Sequence, residues 1–112
     1  MQHEMKLNEK PFNNIKNGVK RIELRLYDEK RQKLKLNDTI RFYKVDNEEE
    51  FIDVKIQGLL RYNYFKELFE DVDFNICGPA SNLTEKLENM HKIYSKEEEQ
   101  KYGILAISMK LI

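Results

Sequence analysis

The residues after Gly103, Ile104-Leu105-Ala106-Ile107-Ser108-Met109-Lys110-Leu111-Ile112, restrict the fold more than any other stretch. Seven of the nine are apolar, a run too short for a membrane span and of the right length for a strand covered on both faces. Such a strand needs hydrogen-bonding neighbours, and they must come from earlier in the chain.

Three segments qualify. Arg21 to Tyr27 alternates strictly, with Ile22, Leu24 and Leu26 on one face and Arg21, Glu23, Arg25 and Tyr27 on the other, as in a half-buried strand. Asn37-Asp38 marks a turn into a second strand, Thr39 to Val45, with Ile40 and Phe42 in phase. After an acidic hairpin tip, Asp46 to Glu50, a longer strand runs from Phe51 to about Arg61, with Ile52, Val54, Ile56 and Leu60 inward. Gly58 inside that pattern predicts a bulge or a barrel corner.

Helical spacing appears elsewhere. Asn8 to Gly18 reads as a short helix, with Asn8 as its cap, Pro11 in the first turn, and Asn17-Gly18 as its stop. The polar connector Asp28 to Leu36 has room for one helical turn. Phe65, Leu68 and Phe69 form one helical face, and Leu83, Leu87 and Met90 form another stripe that reads as helix core. Cys77-Gly78-Pro79 breaks the chain between them. Ser95-Lys96-Glu97-Glu98 has capping-box spacing and starts a last helix. Strands at both ends with helices between them predict an α+β fold, residues 1–112 forming one domain around a small, curved, mostly antiparallel sheet or barrel crossed by short helices.

The 112 residues carry twenty Lys+Arg and twenty Asp+Glu, so the formal net charge is zero. The charges are nevertheless segregated. From Lys6 to Lys44 there are twelve cations against five acids, a net of +7; from Val45 onward there are eight against fourteen, a net of −6. A one-sided basic region attracts phosphates whatever the total charge is, although Lys-rich loops are also ordinary solvated faces. Met1 to Lys6 has no hydrophobic signal core, and the single cysteine, Cys77, has no internal disulfide partner. Both features lead us to expect a cytoplasmic protein with no membrane association. His3 and His91 lie far apart and no metal-ligand spacing or nucleotide-binding glycine loop occurs, so neither a metal nor a cofactor is expected. Cys77 reads as a small buried filler.

The candidate chemistry lies in Gly18-Val19-Lys20-Arg21-Ile22-Glu23-Leu24-Arg25. A glycine turn puts Lys20 at the mouth of a strand from which Glu23 and Arg25 project on one face. Strand phase alone sends Lys20 to the other face, but a residue just after a glycine turn need not obey that phase. A Lys–Glu pair in a concave site can give and take a proton, and Arg25 can hold a phosphate or carboxylate. The plain alternative is an exposed strand face with ordinary ion pairs.

These residues match the G-x-K-x-x-E-x-R signature of the activating signal cointegrator homology (ASCH) domain. The resemblance extends to Pro11-Phe12-x-x-Ile15-x-x-Gly18, Asn37-Asp38-Thr39-Ile40, Phe65-Lys66-Glu67-Leu68, and Tyr94 to Gly103 running into the last strand. The chain resembles a stand-alone bacterial member of that family. The resemblance implies a PUA-like β-barrel and RNA or a nucleotide-like ligand bound in a cleft beside it, with Lys20, Glu23 and Arg25 lining the cleft and Gly18 shaping the approach. The related acetylcytidine amidohydrolases use a Lys followed three residues later by a Thr, plus a separate Glu. Here Glu23 stands in the Thr position, and only Asp71 and Asp73 offer themselves for the separate carboxylate. Some relatives are ribonucleases, which leaves a hydrolase of RNA or of a modified nucleoside, with Lys20 and Glu23 as its catalytic pair, as the alternative. A peptide- or small-molecule-binding module is the third reading.

Two further stretches bear on the ligand. Arg61-Tyr62-Asn63-Tyr64-Phe65 interleaves a cation with aromatics; Tyr62 and Tyr64 either stack bases or cover the barrel rim, whereas Phe65 reads as core. Lys30-Arg31-x-Lys33-x-Lys35 either positions a phosphate backbone, with Lys33 as the candidate contact, or is a solvated loop.

Overall fold

The computed structural model describes all 112 residues. Five strands form one curled half-barrel sheet, and four helices cross it. The strands are β1 (Gln2–Leu7), β2 (Ile22–Leu26), β3 (Thr39–Lys44), β4 (Asn47–Tyr62) and β5 (Ile104–Leu111), arranged β1-β3-β4-β5-β2. The β2–β5, β3–β4 and β4–β5 pairings are antiparallel, and β1–β3 is parallel. The helices are α1 (Glu9–Lys16), α2 (Phe65–Asp71), α3 (Leu83–Ile93) and α4 (Lys96–Tyr102). Short 3-10 turns occupy Arg31–Lys33 and Phe74–Cys77. No helix is long and apolar enough to cross a membrane.

The terminal apolar run is a strand covered on both faces. Ile104 to Ile107 are all buried, and their alternating side chains feed two separate cores. Leu105, Ile107 and Met109 join Phe12, Ile40, Phe42, Val54 and Ile56 on one face of the sheet. Ile104 and Ala106 join Ile22, Leu24, Leu26, Phe65 and Leu68 on the other, beneath α2 and α3. Burying each large apolar side chain is worth about 1.5–3 kcal/mol, so this double-sided packing makes β5 the anchor of the sheet.

Several local expectations are corrected. β1 was not expected as a strand. Only Met5 and Leu7 alternate into the core there, too few to signal a strand, and the parallel partner β3 supplies the rest of its hydrogen bonding. The hairpin tip contracts to Val45-Asp46, with Asp46 at φ 72°, so β4 already begins at Asn47. The register of β4 against β5 shifts between Ile56 and Gly58, which is the bulge that the glycine predicts. The extra residue reverses the strand's phase, so that Leu59 packs inward and Leu60 is 43% exposed instead of inward. Leu83, at the first turn of α3, is exposed, and the buried positions of that helix are Lys86 and Met90. Asn8 does sit at the start of α1, but its side chain makes no capping bond. Ser95 and Glu98 do form the reciprocal capping box that opens α4.

Candidate functional site

Gly18, at φ 78°, ends α1 in the left-handed region and turns the chain toward β2. The next three residues are pinned by backbone bonds: Val19 and Lys20 donate to the Asn14 carbonyl, Arg21 donates to Ile76, and the Arg21 carbonyl accepts from Met109. Held this way before the strand begins, Lys20 escapes strand phase. Its Nζ lies 2.7 Å from Glu23 Oε1. Arg25 meets the other carboxylate oxygen, with Nε at 3.1 Å and Nη2 at 2.9 Å from Glu23 Oε2. The Leu24 N–H also donates to Oε1, so Glu23 is engaged on both oxygens.

All three side chains are withdrawn from solvent, with Lys20, Glu23 and Arg25 exposed by 10%, 5% and 15%. The polar face of β2 is therefore covered as well as the apolar one. Burial pushes the Glu23 carboxyl upward, and the charges of Lys20 and Arg25 more than offset it, leaving its pKa below the ordinary carboxylate value. The Arg25 pKa is raised: burial works against its charge, and Glu23 outweighs burial. Arg25 Nη2 also donates to the Lys6 carbonyl at 3.1 Å, joining β2 to β1, the two strands at opposite edges of the sheet.

A cleft of about 330 Å³ opens where these edges approach. β1 and the start of α1 form one wall; β2, the Cys77-Gly78-Pro79 segment and α3 form the other. Five cations line it (Lys6, Lys10, Lys20, Arg25 and Lys86) against one carboxylate, Glu23. Tyr94 adds an aromatic wall, its phenol pKa raised by burial. Cys77 also lines the cleft, with its thiol pushed up to about 11 by burial, the state of an inert filler rather than a nucleophile.

The other candidate residues lie elsewhere. Gly18 borders a separate depression beside Ile15, Arg21 and Met109, which Lys20 also touches. Tyr62 and Tyr64 line a third recess with Asn63, Glu67 and Lys101. Neighbouring Arg61 stacks its guanidinium 3.8 Å from the centre of the Tyr27 ring. Phe65 is fully buried. Lys33 is exposed and outside the cleft. Asp73 caps the 3-10 turn through the Asn75 N–H, and neither Asp71 nor Asp73 lines the cleft.

Sequence reasoning missed Lys86. It lies in a helical stripe between Leu83 and Met90, where a lysine normally reaches solvent, yet it is only 7% exposed. Its Nζ donates to the carbonyls of Cys77 at 3.2 Å and Gly78 at 2.8 Å.

The family model of the ASCH domain matches residues 5–112. The chain belongs to the ASCH domain family. Over the whole of both chains, it is 36% identical to a hypothetical protein, PH0355, whose crystal structure superposes with a TM-score of 0.89. Protein PF0455 from Pyrococcus furiosus, solved by NMR, is 33% identical over all of this chain and 98% of its own, with a TM-score of 0.80. An ASCH domain from Lactobacillus crispatus JV V101 shares the fold at 15% identity and a TM-score of 0.68, covering 97% of this chain and 79% of that one. No curated protein sequence matches. ASCH membership agrees with the half-barrel and with the helices that cross it.

Proposed function

We propose that this ASCH domain binds RNA or a nucleotide-like ligand in the cleft between the two sheet edges. The observation that carries the reading is the imbalance of five lining cations against a single carboxylate whose oxygens are already engaged. In a chain of zero net charge, that concentration of cations draws phosphates to one side of the molecule. Lys20 and Arg25 are held in place by Glu23, so little side-chain entropy is lost when an anion arrives. The cellular setting proposed is the cytoplasm, which suits a buried, unpaired Cys77.

Filter binding of single-stranded RNA and tRNA at low salt tests the reading. Retention by the wild type and its loss in Lys20→Ala support it; absence of retention by the wild type overturns it.

The 2.7 Å Lys20–Glu23 contact favours a second reading, a hydrolase of RNA or of a modified nucleoside. Turnover that disappears in both Lys20→Ala and Glu23→Ala, while circular dichroism shows the fold retained, supports that reading. Unchanged turnover in both removes it.

A further inference from the structure

Lys86 is a buried cation with no carboxylate of its own. Its two bonds run to backbone carbonyls, which leaves one of the three N–H donors of the ammonium for the cleft it lines. Gly78 permits this arrangement: its backbone stands at φ 120°, and a Cβ there would lie 3.0 Å from Lys86 Nζ. Desolvation disfavours the charge, and nearby Lys20 disfavours it further, so the Lys86 pKa is lowered. A buried charge held against these penalties is a group that an incoming anion can satisfy.

The charges define which anion. Lys20, Arg25 and Lys86 are opposed only by Glu23, so the enclosed part of the cleft holds two positive charges in excess. A phosphodiester carries one negative charge, whereas a phosphate monoester carries between one and a half and two near neutral pH. We propose that Lys86, with Lys20, forms a subsite in the enclosed part of the cleft for a phosphate monoester, either that of a mononucleotide or the terminal phosphate of an RNA strand. The proposal rests on the cleft being the binding site and adds the chemical group that its enclosed part selects. Lys6 and Lys10, which are exposed, stand at the rim, where they can meet the diester phosphates or the outer part of the ligand.

The test compares AMP with adenosine, and 5′-phosphorylated with 5′-hydroxyl single-stranded RNA of the same sequence, by calorimetric titration of wild type and Lys86→Met. The wild type should prefer the phosphorylated member of each pair by on the order of tenfold or more, and Lys86→Met should lose most of that preference. The preference is a ratio within one protein, so a change of stability alone does not move it. Should Lys86→Met fail to fold, the wild type still decides: adding AMP, but not adenosine, must shift the Cys77 and Gly78 amide resonances. Lys86→Met that keeps the preference overturns the proposal and leaves Lys86 a structural lysine. Equal binding of both RNAs, with no response to AMP, overturns the subsite while RNA binding stands. A response to AMP without binding of either RNA supports the subsite as a mononucleotide site and removes the RNA reading. Wild type that binds none of the probes removes both.

Discussion

Glu23 is a single negative charge that keeps two cations below the surface. Replacing it with the near-isosteric Gln leaves Lys20 and Arg25 buried together without an anion, and we expect Glu23→Gln to lose about 3 kcal/mol in urea denaturation at neutral pH. The acid side of the stability profile should change too. Because the carboxyl has a lower pKa folded than unfolded, the unfolded chain takes up the proton first as pH falls. Its contribution is complete above the ordinary value of 4.5 and is lost as the pH drops through the folded value, so the gap between wild type and Glu23→Gln should narrow below pH 4.5. The convergence of Lys20, Glu23 and Arg25 was legible as a signature, but not from strand phase, because four backbone bonds outside the strand aim Lys20. Lys86 was illegible: a lysine on an amphipathic helix looks the same in sequence whether its ammonium meets water or two carbonyls.

At the level of elements, Glu99 ties three helices together. From α4 its Oε2 accepts the Phe65 N–H that opens α2, at 2.7 Å, and its Oε1 lies 3.0 Å from His91 Nε2 of α3. Removing the carboxylate strands a buried donor, so Glu99→Ala should cost about 2 kcal/mol and speed hydrogen exchange at the Phe65 amide, while exchange in β5 quickens only as far as global stability falls. The same helices show why some elements were readable and others were not. Each of α1 to α4 announces itself by a cap, a breaker or an apolar stripe, and β5 by a continuous apolar run. β1 offers only Met5 and Leu7, and its existence depends on β3, more than thirty residues away in the chain. Leu60 was misplaced because a one-residue bulge reverses every later assignment in its strand, and a glycine shows where a bulge occurs without showing how the phase resumes.

For the molecule as a whole, the sequence of charges along the chain matters less than where the fold collects them. The basic front segment supplies Lys6, Lys10, Lys20 and Arg25, but the acidic remainder contributes Lys86 to the same cleft. With two or three phosphates neutralised there, the logarithm of the affinity for single-stranded RNA should fall with the logarithm of salt with a slope between about −1.4 and −2.1, measured from 50 to 200 mM. A much steeper slope would mean a broad basic surface instead of a cleft. The strand order carries one more consequence. β2, which holds Glu23 and Arg25, has a single neighbour in the sheet, and that neighbour is β5, far along the chain, with Ile22 opposite Ser108. Until β5 is in place, the strand that forms one wall of the cleft has nothing to pair with, and its apolar side lacks Ile104 and Ala106 to pack against. The wall of the cleft is therefore assembled only when β5 docks beside β2. A chain cut before Ile104 would lack the strand that holds Glu23 and Arg25 against the cleft.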